Sequence, residues 1–330
     1  MTEHAPVLVT GGAGFIGSTL CRLLLQAGRR VRVLDAFHYG GASLLPLLND
    51  PNFELLQGDI RDRKAVDRAL HGVAAVVHLA ALVGDKLCDQ NREAAVAINY
   101  HATRDLVAAC LRQRVGRFVF ASTSSNYGVM DTSRAADETA ELHPVSLYAE
   151  TKVDCEKFLL ELREPRLAPV LFRFSSGFGV SGRIRFDLTV NSFAYEAWRD
   201  NEIVVFAANT WRPYMHVYDL ARCLMIGLAA PAGKVAGQVF NAGGDELNHP
   251  KSEIAALIKA ARPGIAVSTI EKKDLRTYRL SFEKIRRVLR FRPARTVADG
   301  IAELLQAFDA GMVSNEYFLD NGLERIKTIR

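Results

Sequence analysis

The chain has 330 residues, 49% hydrophobic and 24% charged, and its 42 basic and 37 acidic side chains leave a net charge of +5. These are ordinary globular proportions, enough for two lobes sharing a cleft. The basic excess is mild and scattered (Arg112 with Arg114, Lys272-Lys273, Arg286-Arg287), so it reads as solvated helix faces and predicts no nucleic-acid partner.

The elements follow in chain order. Pro6–Thr10 is a short apolar run ending in glycines, the pattern of a buried strand, and Phe15–Ala27 has helical periodicity that stops at Gly28. Val31–Asp35 and Phe53–Gln57 read as strands, Arg63–Leu70 as a helix, and Ala74–Leu79 as a fourth strand. A long helix is predicted over Arg92–Gln113, then strand Arg117–Ala121, helix Tyr148–Arg163 and strand Pro169–Arg173. Short apolar strands alternating with amphipathic helices imply an α/β fold, a Rossmann-type doubly wound parallel sheet covered on both faces. After about residue 175 the rhythm breaks into Gly-, Arg- and Asn-rich loops, with helices near 250–262, 281–289 and 297–310. We therefore expect a dinucleotide-binding domain over 1–175, with some later segments returning to it, and a smaller α/β substrate lobe over 176–330.

Five cysteines (Cys21, Cys88, Cys110, Cys155, Cys223) are widely spaced, without a CxxC pair or a metal-ligand pattern. Four lie in apolar helix-like stretches, which predicts buried free thiols in a reducing compartment. The first strand begins by Pro6, leaving no room for a secretory leader, and no apolar run approaches the roughly 18 residues of a bilayer span. A cytoplasmic protein with no membrane partner is expected.

The first strand runs into Thr10-Gly11-Gly12-Ala13-Gly14-Phe15-Ile16-Gly17. Gly11 permits a tight turn, Gly14 lets a pyrophosphate approach the backbone at a helix N-terminus, and Gly17 lets the helix pack close to the sheet. Asp35 ends the second strand eighteen residues beyond Gly17. Its carboxylate accepts from the adenosine-ribose hydroxyls and repels a 2′-phosphate. The following residue is Ala36 and not a phosphate-binding arginine, so NAD is favoured over NADP.

Tyr148 and Lys152 stand four apart on a predicted helix, hence on one face. A tyrosine titrates near 10 unless perturbed. A neighbouring ammonium and a cationic nicotinamide are expected to depress it toward neutrality, giving a general base. The fifth strand ends in Ser122-Thr123-Ser124-Ser125, hydroxyls at the carboxyl edge of a parallel strand, where ligands bind.

On these residues the chain resembles the extended short-chain dehydrogenase/reductases, in the NDP-sugar epimerase/dehydratase family. The likeness covers nearly the full length. Besides the motifs above it rests on Gly58-Asp59-Ile60-Arg61-Asp62, His78-Leu79-Ala80-Ala81, Asn99 and the run from Arg212 to Asp219. Within the family it is most similar to a branch that includes GDP-heptose 4-dehydrogenases and related nucleotide-sugar 4-epimerases, through residues 81–84, 183–191 and 299–301. The resemblance implies NAD as cofactor, with Asp59 and Ile60 at the adenine and Leu79, Ala80 and Ala81 lining the dinucleotide. Phe15, Ile16, Asn99 and Ser122 join the cofactor set, and Lys152 also binds the nicotinamide ribose. Thr123, four residues before Tyr127, matches the catalytic Ser/Thr that bonds the reacting sugar hydroxyl, with Ser124 as the fallback. Asn191, Arg212 and Arg276 match positions that hold the nucleotide diphosphate, for which arginine's planar fork is suited; Arg185 and Val83 complete the substrate set. Arg276 could equally be a surface charge near a lobe boundary. His216 is expected to be structural. A homodimer is implied, through the helices near 92–113 and 148–163.

The two positions after Thr123 bear on the reaction. Sugar 4,6-dehydratases of the family carry Asp-Glu there, decarboxylating relatives a Glu at the second, and 3,5-epimerising enzymes a Cys at the first. This chain has Ser124-Ser125. The resemblance thus implies hydride chemistry with one base on a nucleotide-activated sugar (hexose or heptose): a 4-epimerase acting through a transient 4-keto sugar. A 4-dehydrogenase or 4-ketoreductase uses the same residues. A non-catalytic NAD-binding scaffold is the reading from outside the enzyme class.

Overall fold

A computed structural model describes residues 5–271 and 276–313; the basic pair Lys272-Lys273 lies outside the described residues. Strand β1 (Val7–Thr10) leads into helix α1 (Phe15–Gln26), followed by β2 (Val31–Asp35), β3 (Phe53–Gln57), α2 (Arg63–Leu70) and β4 (Ala75–His78). Next come α3 (Asp85–Gln90), α4 (Arg92–Val96) and α5 (Ala102–Arg112), then β5 (Arg117–Thr123), α6 (Leu147–Glu161) and β6 (Ala168–Phe174). The helix expected over Arg92–Gln113 is interrupted by a π turn at Ala97–His101, a local widening that often marks a functional position; Asn99 sits in it.

The later elements are β7 (Ser176–Phe178), α7 (Thr189–Arg199), β8 (Glu202–Phe206), β9 (Trp211–His216), α8 (Val217–Ala229), α9 (Ala232–Val235) and β10 (Gln238–Ala242). They are followed by β11 (Asn248–Pro250), α10 (Lys251–Ala261), β12 (Ala266–Ile270), α11 (Glu283–Leu289) and α12 (Val297–Asp309). Three of the expected C-terminal helices are therefore present with small shifts of boundary.

Seven strands form one sheet in the order β10-β6-β5-β4-β1-β2-β3, every pairing parallel. This is the doubly wound Rossmann order extended by one strand. Strands β1 and β4 are buried along their whole length, because helices cover both faces and leave no polar side to alternate with. One face packs Leu20 and Leu24 of α1 against Leu220 and Leu224 of α8. The other packs Val66 of α2, Leu106 of α5 and Leu159 of α6. Each such side chain contributes about 1.5–3 kcal/mol when fully buried. A third core, around Phe186, Tyr195, Ile301 and Phe308, holds α7, α10 and α12 together beside the sheet. All five cysteines are free and buried. Among the described residues no helix is long and apolar enough to cross a membrane.

Candidate active site

A cleft of about 630 Å³ opens between the sheet and the C-terminal elements. It lies where the strand order reverses, with β2 on one side of β1 and β4 on the other, the place a doubly wound sheet offers a ligand. Gly11 turns the chain off β1 at φ +72°, and a Cβ there would come within 2.7 Å of the Ala80 nitrogen. At Gly17 a Cβ would strike the Gly11 carbonyl and lie 2.7 Å from the Gly12 Cα, so α1 can sit this close to the turn only without one. Helices α2, α6 and α12 begin on the side-chain caps Asp62, Ser146 and Thr296. Helix α1 begins on Gly14 without one, and Phe15, Ile16 and Gly17 line the cleft. Its first-turn amides and the positive end of its dipole are thus presented to an anion.

Asp35 stands at the end of β2, its Oδ2 accepting from Ala13 N (2.9 Å) and its Oδ1 from Phe37 N (2.8 Å). Burial raises this carboxyl above the usual range, against the pull of those amides and of the His38 and Arg183 charges. Asp59 is held low: burial opposes ionisation, but Arg61 supplies a backbone amide and its guanidinium, with Nη2 2.7 Å from Oδ2. Ile60, Leu79, Ala80 and Ala81 complete the wall. Glycine floor, uncapped helix and carboxylate together fit a dinucleotide. Asn99 is not on the wall. It is buried, with Oδ1 accepting from Leu82 N (2.7 Å) and Nδ2 donating to Leu82 O (2.9 Å), and so holds the wall from behind.

At the inner end, α6 starts where Ser146 Oγ accepts from Ala149 N (3.3 Å), and one turn brings Tyr148 and Lys152 to β5. Tyr148 and Thr123 both line this end of the cleft, and Thr123 is among the groups that draw the phenol down. Lys152 Nζ donates to Ala121 O (2.9 Å), lies 4.7 Å from the Phe120 ring centroid and 6.0 Å from that of Tyr148. The expected depression of the phenol is not what the protein's own atoms produce: burial raises it, helped by Cys88 and Asp85, while Arg185 and Thr123 draw it back. Burial also lowers the Lys152 ammonium, countered by nearby Cys155, Cys88 and Glu156. Ser122, predicted on the cofactor, directs its Oγ to Glu156 Oε1 (2.5 Å). Ser124 Oγ meets the Tyr278 hydroxyl at 3.1 Å.

The outer half is cationic. Val83, Arg185, Arg212 and Arg276 all line it, joined by Lys251 at the start of α10. Arg185 is paired with Asp187, and Arg276 reaches across from the C-terminal elements to Asp85, whose other oxygen accepts from Ser146 Oγ (2.7 Å). The Arg212 guanidinium lies 4.9 Å from the Tyr278 ring centroid and donates to the carbonyl of Trp211 (3.0 Å) and to that of Arg276. Asn191 is not brought to the cleft: fully buried, it binds Gly179 N (2.9 Å) and Arg185 O (2.9 Å) and shapes the loop that carries Arg185. His216 caps α8 through Tyr218 N (3.1 Å) and pairs with Glu303 at 2.7 Å, away from the cleft.

The profile of the NAD dependent epimerase/dehydratase family matches residues 7–243. The chain belongs to that family. NAD is the cofactor of this family, in keeping with the dinucleotide cleft. A dTDP-glucose 4,6-dehydratase from Actinoplanes sp. is 32% identical over 322 residues, 92% of this chain and 98% of that protein. A 3 beta-hydroxysteroid dehydrogenase/Delta 5-->4-isomerase from Mycobacterium tuberculosis is 41% identical over 167 residues, 48% of this chain and 43% of that one. Among solved structures, the NAD complex of Thermus thermophilus UDP-glucose 4-epimerase is 27% identical, covers 92% of this chain and 99% of its own, and superposes with a TM-score of 0.81.

In this epimerase/dehydratase chain several site residues escaped the sequence reading. Glu156 follows Lys152 by four on α6 and so shares its face, a spacing that could have flagged it. Tyr278, Lys251, Asp85 and Arg183, whose guanidinium lies 3.5 Å from the Tyr39 ring centroid, come from distant segments and carry no local pattern.

Proposed function

We propose that this enzyme is a nucleotide-sugar 4-epimerase that works through a transient 4-keto sugar with Tyr148 as the base. The observation that supports the reading is the gathering of Tyr148, Lys152 and Thr123 in the lining of one cleft that also carries Arg185, Arg212, Lys251 and Arg276. Held by the Gly11–Gly17 turn and Asp35, NAD would supply a reversible hydride acceptor and a positive charge near the phenol. Thr123 orients the 4-hydroxyl, and Tyr148 takes its proton and later returns one. Lys152 keeps a cation next to the phenol. Arg185, Arg212, Lys251 and Arg276 suit a diphosphate, and such a lining does not suit a sterol, the substrate class named for the relative that matches 48% of this chain. Expelling a hydroxyl needs a further acid and base. Positions 124 and 125 are serines, and the carboxylates of the outer half, Asp85 and Asp187, are each paired with arginine. Epimerisation is therefore favoured over dehydration.

The test is incubation of the purified protein with UDP-glucose, dTDP-glucose and a GDP-heptose, with no NAD(P) added. We expect a 4-epimer from one of them and a fall of about 100-fold or more in rate for Tyr148→Phe. Turnover only with added cofactor would assign a 4-dehydrogenase or 4-ketoreductase instead. Full activity in Tyr148→Phe would overturn the catalytic assignment altogether.

A further inference from the structure

Three side chains spaced four apart on one face of α6 each reach the end of β5. Tyr148 lies beside Thr123 in the cleft lining, Lys152 donates to the carbonyl of Ala121 at 2.9 Å, and Glu156 accepts from Ser122 Oγ at 2.5 Å. Helical spacing of four keeps the three on a single stripe, so they form consecutive rungs between one helix and one strand. The first two rungs open on the cleft. The third is buried on its helix side, where Glu156 is 2% exposed and Arg173 5%, while Ser122 itself also lines the cleft.

The Glu156 carboxylate is saturated. Oε1 also accepts from Asn126 Nδ2 (2.9 Å) and Arg173 Nε (3.1 Å), and Oε2 from Arg173 Nη2 (2.7 Å). Arg173, on β6, carries the tie to the Tyr127 hydroxyl (2.9 Å), which donates to Asn241 Oδ1 (2.7 Å) on β10. One buried charge therefore joins α6, the end of β5, the turn that follows it, and β6. Stability alone does not account for such a pair, since apolar residues of similar volume commonly do as well in its place. Its distinguishing feature is where it holds on: Ser122 immediately precedes the alcohol that lies beside the phenol in the cleft lining.

We propose that Glu156, braced by Arg173, is a positioning residue. By gripping Ser122 it sets the register of the β5 end against α6, and so the placement of the Thr123 alcohol against the Tyr148 phenol. Displacement of such a pair by about 1 Å costs on the order of 100-fold in rate. The inference rests on the catalytic reading of Tyr148 and Thr123 given above. It also reassigns Ser122 from the cofactor to this brace.

The test uses the NAD-loaded enzyme carrying Ser122→Ala or Glu156→Gln, beside wild type and Tyr148→Phe, with UDP-glucose and dTDP-glucose as probes. Ser122→Ala leaves the Glu156–Arg173 pair intact, so it stays informative should Glu156→Gln not fold. We expect bound NAD and KM within about twofold of wild type, and kcat lowered about 10- to 100-fold. Misplacement of Thr123 in Ser122→Ala is read independently from a crystal structure of the NAD-loaded variant beside wild type. Loss of NAD in Ser122→Ala in proportion to activity would return Ser122 to the cofactor and overturn the proposal. Wild-type kcat in the folded variants while Tyr148→Phe is inactive would sink this inference alone; full activity in Tyr148→Phe would sink the functional reading beneath it. If neither sugar turns over, that structure decides, and an unmoved Thr123 side chain refutes the brace.

Discussion

His78 shows how one side chain behind the cofactor wall fixes a pH limit. It ends β4, is 1% exposed, and holds Thr10 Oγ1 at 2.7 Å through Nδ1 and Thr103 Oγ1 at 2.9 Å through Nε2. Thr103 Oγ1 donates to Asn99 O (2.7 Å) and so is left to accept from Nε2–H; Nδ1 must then accept from Thr10. That is a neutral ring. Burial, helped by the Lys152 charge, pushes its pKa down to about 3. A group depressed in the folded state contributes stability that is present above its unfolded pKa, near 6.5, and is lost as pH falls toward the folded value. Between those values His78 alone removes about 1.4 kcal/mol per pH unit. Urea unfolding from pH 7.5 down to 5 should show this loss, and a His78→Gln variant should show a shallower slope; equal slopes would refute the assignment.

At the level of elements, the start of helix α1 opens on the cleft. Asp62, Ser146 and Thr296 cap α2, α6 and α12 from within the protein, whereas α1 starts on Gly14 without a side-chain cap and its first turn lines the cleft, leaving its first amides available to an anion. Gly17 is what brings it close enough. Gly17→Ala should cost about 1–3 kcal/mol from overpacking against the Gly11-Gly12 backbone, together with most of the co-purifying NAD, measured by denaturant melts and mass spectrometry of the released nucleotide. Gly233→Ala, where an added Cβ meets nothing within 4 Å, is the control and should change neither. A Gly17→Ala protein still saturated with NAD would mean that α1 does not carry the dinucleotide.

On the scale of the whole molecule, the cleft is lined both by the sheet and by the C-terminal elements. Rossmann residues hold one end, while Arg212, Lys251 and Arg276 come from beyond the sheet's sixth strand. A ligand bound only by the folded protein stabilises it, by about 2.7 kcal/mol at a hundredfold excess over Kd. Removing NAD should therefore lower the Tm by several degrees in calorimetry, and re-addition should restore it. On the proposed function, UDP or dTDP added to the loaded enzyme should raise it again, through the arginines of the outer half. No change on removing NAD would contradict the dinucleotide site.

What the linear chain determined by itself was local and periodic. The alternation of buried strands and amphipathic helices predicts the doubly wound sheet, and glycines three apart between a strand and a helix predict the cradle. Tyr148 and Lys152 declare a shared face because a helix turns every 3.6 residues. Tertiary structure alone decided the rest. Strand β10 closes the sheet more than sixty residues after β6, in a segment where no alternation announces it. Asn99 and Asn191 match motif positions yet spend their amides on backbone behind the cleft, and Ser122 turns to Glu156. The pairs Ser124–Tyr278 and Asp85–Arg276 join residues 154 and 191 positions apart. Spacing reveals which side chains share a face of one element. Which face of another element they meet is set by packing, and packing leaves no period in the sequence.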